Sequence, residues 1–137
     1  MDCIFCKIVA GEMDAAKVYE DADVLAFIDV FPMTKGHCLV IPKQHVENIH
    51  DIAEESLKNI SSVSQKISRK IKDNLGADGI RISQSNGKAA GQEVMHYHLH
   101  IIPRYENDGL GLDHHGVSKP AKADMEELKK LAHQLRI

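Results

Sequence analysis

The segment His96-Tyr97-His98-Leu99-His100-Ile101-Ile102 constrains this chain more than any other stretch. In an extended strand, alternate side chains share a face. Within such a strand, His96, His98 and His100 line one side, while Tyr97, Leu99 and Ile101 face a core on the other. Three imidazoles backed by an apolar face do not make an ordinary solvated surface. The plain alternative is a chance run of polar strand residues. A metal held by all three histidines fails on distance. Two-residue steps advance roughly 6.5 Å, so His96 and His100 stand roughly 13 Å apart, whereas zinc–nitrogen bonds are about 2.0–2.1 Å. Two neighbours could share an ion. The reading that remains gives the histidines separate tasks around one phosphate. A neutral imidazole can attack phosphorus while a neighbour orients or donates a proton. Imidazole suits both tasks because its ordinary pKa, about 6.5, lies near neutral pH.

The rest of the chain supplies a scaffold. Residues 3–10 read as one helical turn before Gly11. Lys17–Glu20 and Val24–Ile28 read as strands about an Asp21-Ala22-Asp23 turn, and His37–Ile41 as a third strand closed by Pro42. Asp51 and Glu54 stand at capping-box spacing before a long helix. Its apolar stripe is Leu57, Ile60, Ile67, Ile71 and Leu75, and Gly76 is its natural stop. Ile80–Ser85 and Val94–Pro103 complete five strands. Asp124 with Glu127 caps a last helix whose stripe is Met125, Leu128, Leu131 and Leu135. Strands, helix, strands, helix is an α+β order with antiparallel hairpins. We expect a single domain over 1–137, with its core in about 3–105 and a C-terminal loop and helix over 106–137.

Charge and composition exclude several functions. With 17 basic and 20 acidic residues the chain carries a formal charge of -3, which lacks the basic surplus of a duplex nucleic-acid binder. No stretch approaches the roughly 20 apolar residues of a membrane span. The N-terminus lacks a basic start and a long apolar run, so the expected location is cytoplasmic. Three cysteines, an odd count, argue against a disulfide framework. Cys38 reads as a buried, inert thiol, and Cys3-x-x-Cys6 as half of a metal site. His50 and His133 read as exposed helix residues, and His114-His115 as a solvated pair in a glycine-rich loop.

The turn before the histidine strand, Asn86-Gly87-Lys88-Ala89-Ala90-Gly91-Gln92, carries glycines and amides. Glycine lets backbone N–H groups approach an anion closely. Alone this would be an ordinary hairpin turn. Beside three histidines it reads as one wall of a phosphate site.

Asn86, Gly91-Gln92 and His96-x-His98-x-His100-Ile101-Ile102-Pro103 resemble the histidine-triad (HIT) family. Cys3-Ile4-Phe5-Cys6-Lys7-Ile8, Ala26-Phe27-Ile28-Asp29 and Gly36-His37 with Leu39-Val40-Ile41-Pro42-Lys43 are similar to its Hint branch. The resemblance spans roughly residues 3–105. It implies the HIT-like fold, a five-stranded antiparallel sheet with two main helices. It implies hydrolysis at the α-phosphate of a nucleoside phosphoramidate or related derivative, through a nucleotidyl-histidine intermediate. His98 would be the nucleophile, His100 a phosphate ligand and proton partner, His96 the first triad member, and His37 the residue behind them. Asn86, Gly91 and Gln92 would contact phosphate, and Asp29 the ribose hydroxyls. Phe5, Ile8, Phe27 and Val30 would form the base slot; on pattern alone those four read as core. The resemblance further implies a structural zinc on Cys3, Cys6, His45 and His96, no catalytic metal, a purine nucleotide-type substrate and a homodimer. The position after Gln92 often carries Ser or Thr in the family; here it is Glu93, which would repel an anionic leaving group and attract an amine. Three rivals remain: a dinucleoside polyphosphate hydrolase, a nucleotide-binding adaptor with weak turnover, and a metallohydrolase, which full activity in chelator would exclude.

Overall fold

Five strands pair antiparallel in the order β1-β2-β3-β5-β4. A computed structural model describes residues 2–111 and 120–137. The strands are β1 (Lys17–Glu20), β2 (Val24–Ile28), β3 (Cys38–Pro42), β4 (Gly79–Ser83) and β5 (Leu99–Arg104). The helices are α1 (Ile4–Val9), α2 (Glu54–Leu75) and α3 (Met125–Leu135), with one 3-10 turn over Lys88–Ala90. His114 and His115 lie outside the described residues. This is the expected five-stranded sheet with two main helices.

Both faces of the sheet are covered around β2 and β3, so these two strands are apolar and buried at every position. Val24, Ala26, Ile28, Cys38, Val40 and Ile101 face α2 and α3 and join Ile60, Val63, Ile67, Ile71, Leu128 and Leu135 in the main core. Leu25, Phe27, Leu39 and Ile41 point the other way and meet Cys3, Phe5 and Ile8 from α1 and its lead-in. Period-2 alternation assigns each residue its face. His100 pairs with Leu39, which puts its side chain on the α1 side.

The helices begin and end for local reasons. Gly76 adopts φ 66° at the end of α2, and its N–H returns to the Lys72 carbonyl. The Asp124 carboxylate accepts the Glu127 N–H at the start of α3, as expected. The Asp51–Glu54 capping box does not form. Asn48 draws the Asp51 and Ile52 N–H groups to its carbonyl and makes a separate turn. The α2 cap is therefore Ala53, without a side-chain bond, and Glu54 and Glu55 occupy the first turn, where negative charge suits the helix dipole. His50 belongs to that separate turn and is exposed; it is not a helix residue.

The histidine segment departs most from expectation. β5 begins at Leu99. β3 and β5 pair only as far as Val40 with Leu99. Before that point the chain leaves the sheet. The Tyr97 N–H donates to Val46 O at 2.8 Å, and the His96 ring takes the Pro42 carbonyl at 2.8 Å. An imidazole thus satisfies the carbonyl that closes β3. Tyr97 and Leu99 still pack on the helix side, so the alternation survives without the ladder.

Candidate active site

The four ring systems around the sheet's α1 face have distinct hydrogen-bonding partners, and these partners set their tautomers. A carbonyl only accepts, so His98 Nδ1, 2.7 Å from the His96 carbonyl, must carry a proton. A neutral His98 then has a bare Nε2. Burial lowers the His98 pKa and favours that neutral form, while the His96 carbonyl and the Glu93 carboxylate pull the other way. The peptide N–H of Met33 donates to His37 Nδ1 at 3.0 Å, which leaves the proton of a neutral His37 on Nε2. That Nε2 stands 3.0 Å from His100 Nδ1, so His100 accepts there and keeps its own proton on Nε2. The His98 and His100 rings lie 5.0 Å apart between centroids. A ring with a bare nitrogen thus neighbours a ring with an N–H donor, and displacement at phosphorus uses both kinds of group.

His96 does something else. Its Nε2–H is committed to Pro42 O, so Nδ1 is bare and faces Cys3 Sγ at 3.4 Å, Cys6 Sγ at 3.6 Å and His45 Nδ1 at 3.2 Å. Cys6 Sγ is 3.3 Å from His45 Nδ1. A tetrahedral zinc with bonds of about 2.0 and 2.3 Å spaces its ligands roughly 3.3–3.8 Å apart. Four of the six donor pairs stand 3.2–3.6 Å apart, close to that spacing, and all four donor atoms lie within 4.8 Å of one another; the His96–Pro42 bond is the outer contact that would orient a zinc-bound imidazole. The expectation that His98 has an imidazole neighbour on each side is therefore corrected. The His96 ring turns to the thiols, because its segment has left the sheet, and the hydrogen bond to His98 comes from the His96 carbonyl.

Asp29, His37 and His100 also gather their donor atoms within 4.8 Å. The Met33 bond argues against an ion there. A ligating His37 Nε2 would need its proton on Nδ1, where the Met33 N–H already points. The trio is better suited to holding protons. Asp29 Oδ1 accepts the Phe31 N–H at 2.9 Å, and Oδ2 stands 3.7 Å from His37 Nε2.

Other residues expected at the site fall into place unevenly. Phe5, Ile8 and Phe27 come together, and the Phe5 ring lies 5.6 Å from Phe27 and 5.1 Å from His98. Val30 does not join them; it packs against the main core, continuing the parity of Val24, Ala26 and Ile28. Alternation in the sequence carried that signal. Asn86 donates one amide hydrogen to Gln84 Oε1, while its own oxygen accepts from Ile49 N–H. Gln92 is buried, and its NH2 donates to the carbonyls of Glu47 and Val94 while its oxygen accepts the Gly87 N–H. Both amide hydrogens are committed, so Gln92 is placed to brace the turn rather than to donate to a phosphate. Gly91 closes that turn at φ 93°. The sequence reading missed three backbone partners, Met33 N–H, Pro42 O and Glu47 O, because peptide groups leave no residue-type signal. Cys38 is buried as expected, and burial pushes its thiol up to about 12.

The HIT domain family model matches residues 10–107. That match starts after α1, so Cys3, Phe5, Cys6 and Ile8 lie outside it. The chain is 40% identical over 136 residues to adenosine 5'-monophosphoramidase hnt1 of Schizosaccharomyces pombe, covering 98% of this chain and 96% of that protein. Among solved structures it is similar to a Hit-like protein involved in cell-cycle regulation from Bartonella henselae, with TM-score 0.84, 38% identity and coverage of 98% and 95%. A Zn-bound histidine triad family protein from Mycobacterium smegmatis gives TM-score 0.82 and 38% identity, with coverage of 98% and 96%. On the matched sequence, the shared fold and the histidine geometry together, the chain belongs to the histidine-triad (HIT) family.

Proposed function

We propose that this protein hydrolyses nucleoside phosphoramidates or related nucleotide derivatives at the α-phosphate through a nucleotidyl-histidine intermediate. The observation that carries the reading is the pair of opposite tautomers. His98 has a bare Nε2 because the His96 carbonyl holds its Nδ1–H, and His100 has an Nε2–H because His37 faces its Nδ1. His98 Nε2 attacks phosphorus and forms a P–N bond. The bond to the leaving amine breaks, and the amine takes the His100 proton. Water then attacks the same phosphorus and gives a proton back to His100. The His98–phosphorus bond breaks and the nucleoside monophosphate leaves. Asn86 and the 87–91 turn contact the phosphate, Asp29 the ribose hydroxyls, and Phe5, Ile8 and Phe27 the base. The name of the S. pombe relative supports the amine leaving group, and the Glu93 carboxylate near His98 is compatible with it.

The Cys3, Cys6, His45 and His96 cluster has the donor set of a structural zinc site, which would pin the N-terminus to the sheet. The same reading includes a cytoplasmic homodimer. Among the described residues no helix is long and apolar enough to cross a membrane. β4 is a sheet edge whose Ile82 is 52% exposed, a surface that a second copy would cover by joining the two sheets.

His98→Ala tests the central step. It should lower kcat by on the order of 10⁴ or more, as lost nucleophiles do. Nucleotide affinity should change by less than about tenfold, roughly 1.4 kcal/mol. Wild-type protein quenched during a single turnover should carry a nucleotidyl adduct on His98. Substantial activity in His98→Ala would favour direct attack by water and overturn the assignment. Comparing adenosine phosphoramidates with diadenosine polyphosphates separates this reading from its nearest rival.

A further inference from the structure

α1 carries two sets of residues with two different destinations. Cys3 and Cys6, three residues apart, reach the imidazoles of His45 and His96. Phe5 and Ile8, also three residues apart, enter the apolar cluster with Phe27. At helical spacing each pair shares a stripe, so one short rod presents its thiols to the metal cluster and its apolar side chains to the slot.

That rod has little to hold it in place by itself. It is six residues long, and isolated helices below about 12–15 residues are marginal in water. Among the described residues, the backbone hydrogen bonds of residues 3–13 close within the segment: Lys7 to Cys3, Ala10 to Cys6, Gly11 to Ile8, Glu12 and Met13 to Lys7. The thiol–imidazole contacts and the apolar packing of Phe5 and Ile8 are what join α1 to the sheet. The Phe5 ring lies 5.8 Å from His96 and 5.1 Å from His98. His96 is therefore met twice by α1, by thiols at Nδ1 and by Phe5 against its ring, and its carbonyl in turn holds His98.

We infer that α1 is a metal-latched wall of the nucleotide slot: zinc held by Cys3, Cys6, His45 and His96 raises affinity for a nucleoside monophosphate, and bound nucleotide raises affinity for zinc. The inference rests on the reading of Phe5 and Ile8 as base contacts. Four metal bonds fix the two thiols against the sheet, and Phe5 and Ile8 are then held where a base would stack. Without the ion the same helix stays on through apolar contacts alone, and ordering it must be drawn from the binding energy of the nucleotide. Coupling of this kind is reciprocal by thermodynamic necessity.

The test uses the full chain, thiols reduced, loaded with zinc or stripped by a chelator. Calorimetric titration with adenosine monophosphate should give an affinity about tenfold lower for the stripped protein, within the usual span of coupled sites. Inorganic phosphate, which meets the histidines and the 86–91 turn but not α1, should bind both forms within about twofold. In the reciprocal arm, chelator competition should show zinc held about tenfold more tightly when the monophosphate is saturating. His45→Ala, which loosens the ion without altering α1 or the slot, should move both readings in the stripped direction. If the stripped protein unfolds, the reciprocal arm on loaded protein decides. Equal nucleotide affinity in loaded and stripped forms, equal zinc affinity with and without nucleotide, or failure to retain zinc at all overturns the latch. A loaded protein that binds inorganic phosphate but gains nothing from the nucleoside overturns the base-slot reading beneath it.

Discussion

His37→Ala should separate positioning of the proton donor from every other role in the site. His37 is 2% exposed and bonded at both ring nitrogens, to Met33 N–H and to His100 Nδ1, each at 3.0 Å. Truncation leaves two part-buried partners unsatisfied, at about 1–3 kcal/mol each, so a loss of about 2–6 kcal/mol in stability is the upper range expected. Domains of this size have about 5–15 kcal/mol, so the variant folds unless the stability sits at the low end of that range, which a urea curve reads. The rate effect is bounded on both sides. Losing one net hydrogen bond of about 1 kcal/mol costs roughly fivefold in the correctly held His100 population. A residue that acts through His100 cannot cost more than His100 supplies, and general acid catalysis supplies about 10²-fold at its low end. We expect kcat to fall between about fivefold and 10²-fold, with nucleotide affinity changing less than the rate. The assay compares two leaving groups on one nucleoside monophosphate. An amine needs a proton to depart; an acidic phenol does not. The phenol derivative should be nearly indifferent to His37→Ala, and His37→Gln, whose amide can donate from the Nε2 position, should recover most of the amine rate. Equal losses for both leaving groups, or wild-type kcat in folded His37→Ala, would refute the proton-holding chain.

Asp29→Ala should weaken a nucleoside monophosphate by about 1.5–3 kcal/mol for each ribose bond lost, read by calorimetry, while inorganic phosphate binds unchanged. Equal losses for both ligands would remove Asp29 from the ribose. Gly36 holds φ 92°, and a Cβ there would meet Leu75 Cδ1 at 2.6 Å and Pro103 Cγ at 3.3 Å. Gly36→Ala should cost about 1–3 kcal/mol by urea denaturation, mostly from the backbone, since the end of Leu75 can move. A neutral result would mean that the turn before His37 adapts. Cys38, fully buried with its thiol pushed up to about 12, should resist alkylation in the native state while metal-free Cys6, which is partly exposed, reacts. Labelling of Cys38 and Cys6 at one rate would contradict the buried placement of Cys38.

What the sequence made legible was whatever burial enforces with a period. Leu25 and Phe27 against Val24, Ala26 and Ile28 follow from alternation alone, and the same parity would have kept Val30 out of the base slot. The α3 cap is a contact between residues three apart, and it formed. The Asp51–Glu54 pair has the same spacing and failed, because Asn48 offered the backbone a competing turn just upstream. Spacing marked Cys3 and Cys6 as half a site, the family resemblance added His45 and His96, and the fold gathers all four donor atoms. It did not divide the labour within the triad. That division depends on where β5 begins, and β5 begins at Leu99 because the groups that could have extended its ladder are spent on Val46 and Pro42. The tautomers were also beyond reach. They are set by Met33 N–H and the His96 carbonyl, peptide groups that every residue possesses. His37 and His100 stand 63 residues apart, and no local pattern says which will donate. Identity and chemistry were therefore readable from side chains, whereas the direction of each proton had to come from the backbone that surrounds them. In the proposed mechanism, that direction is what would make His98 able to attack and His100 able to donate.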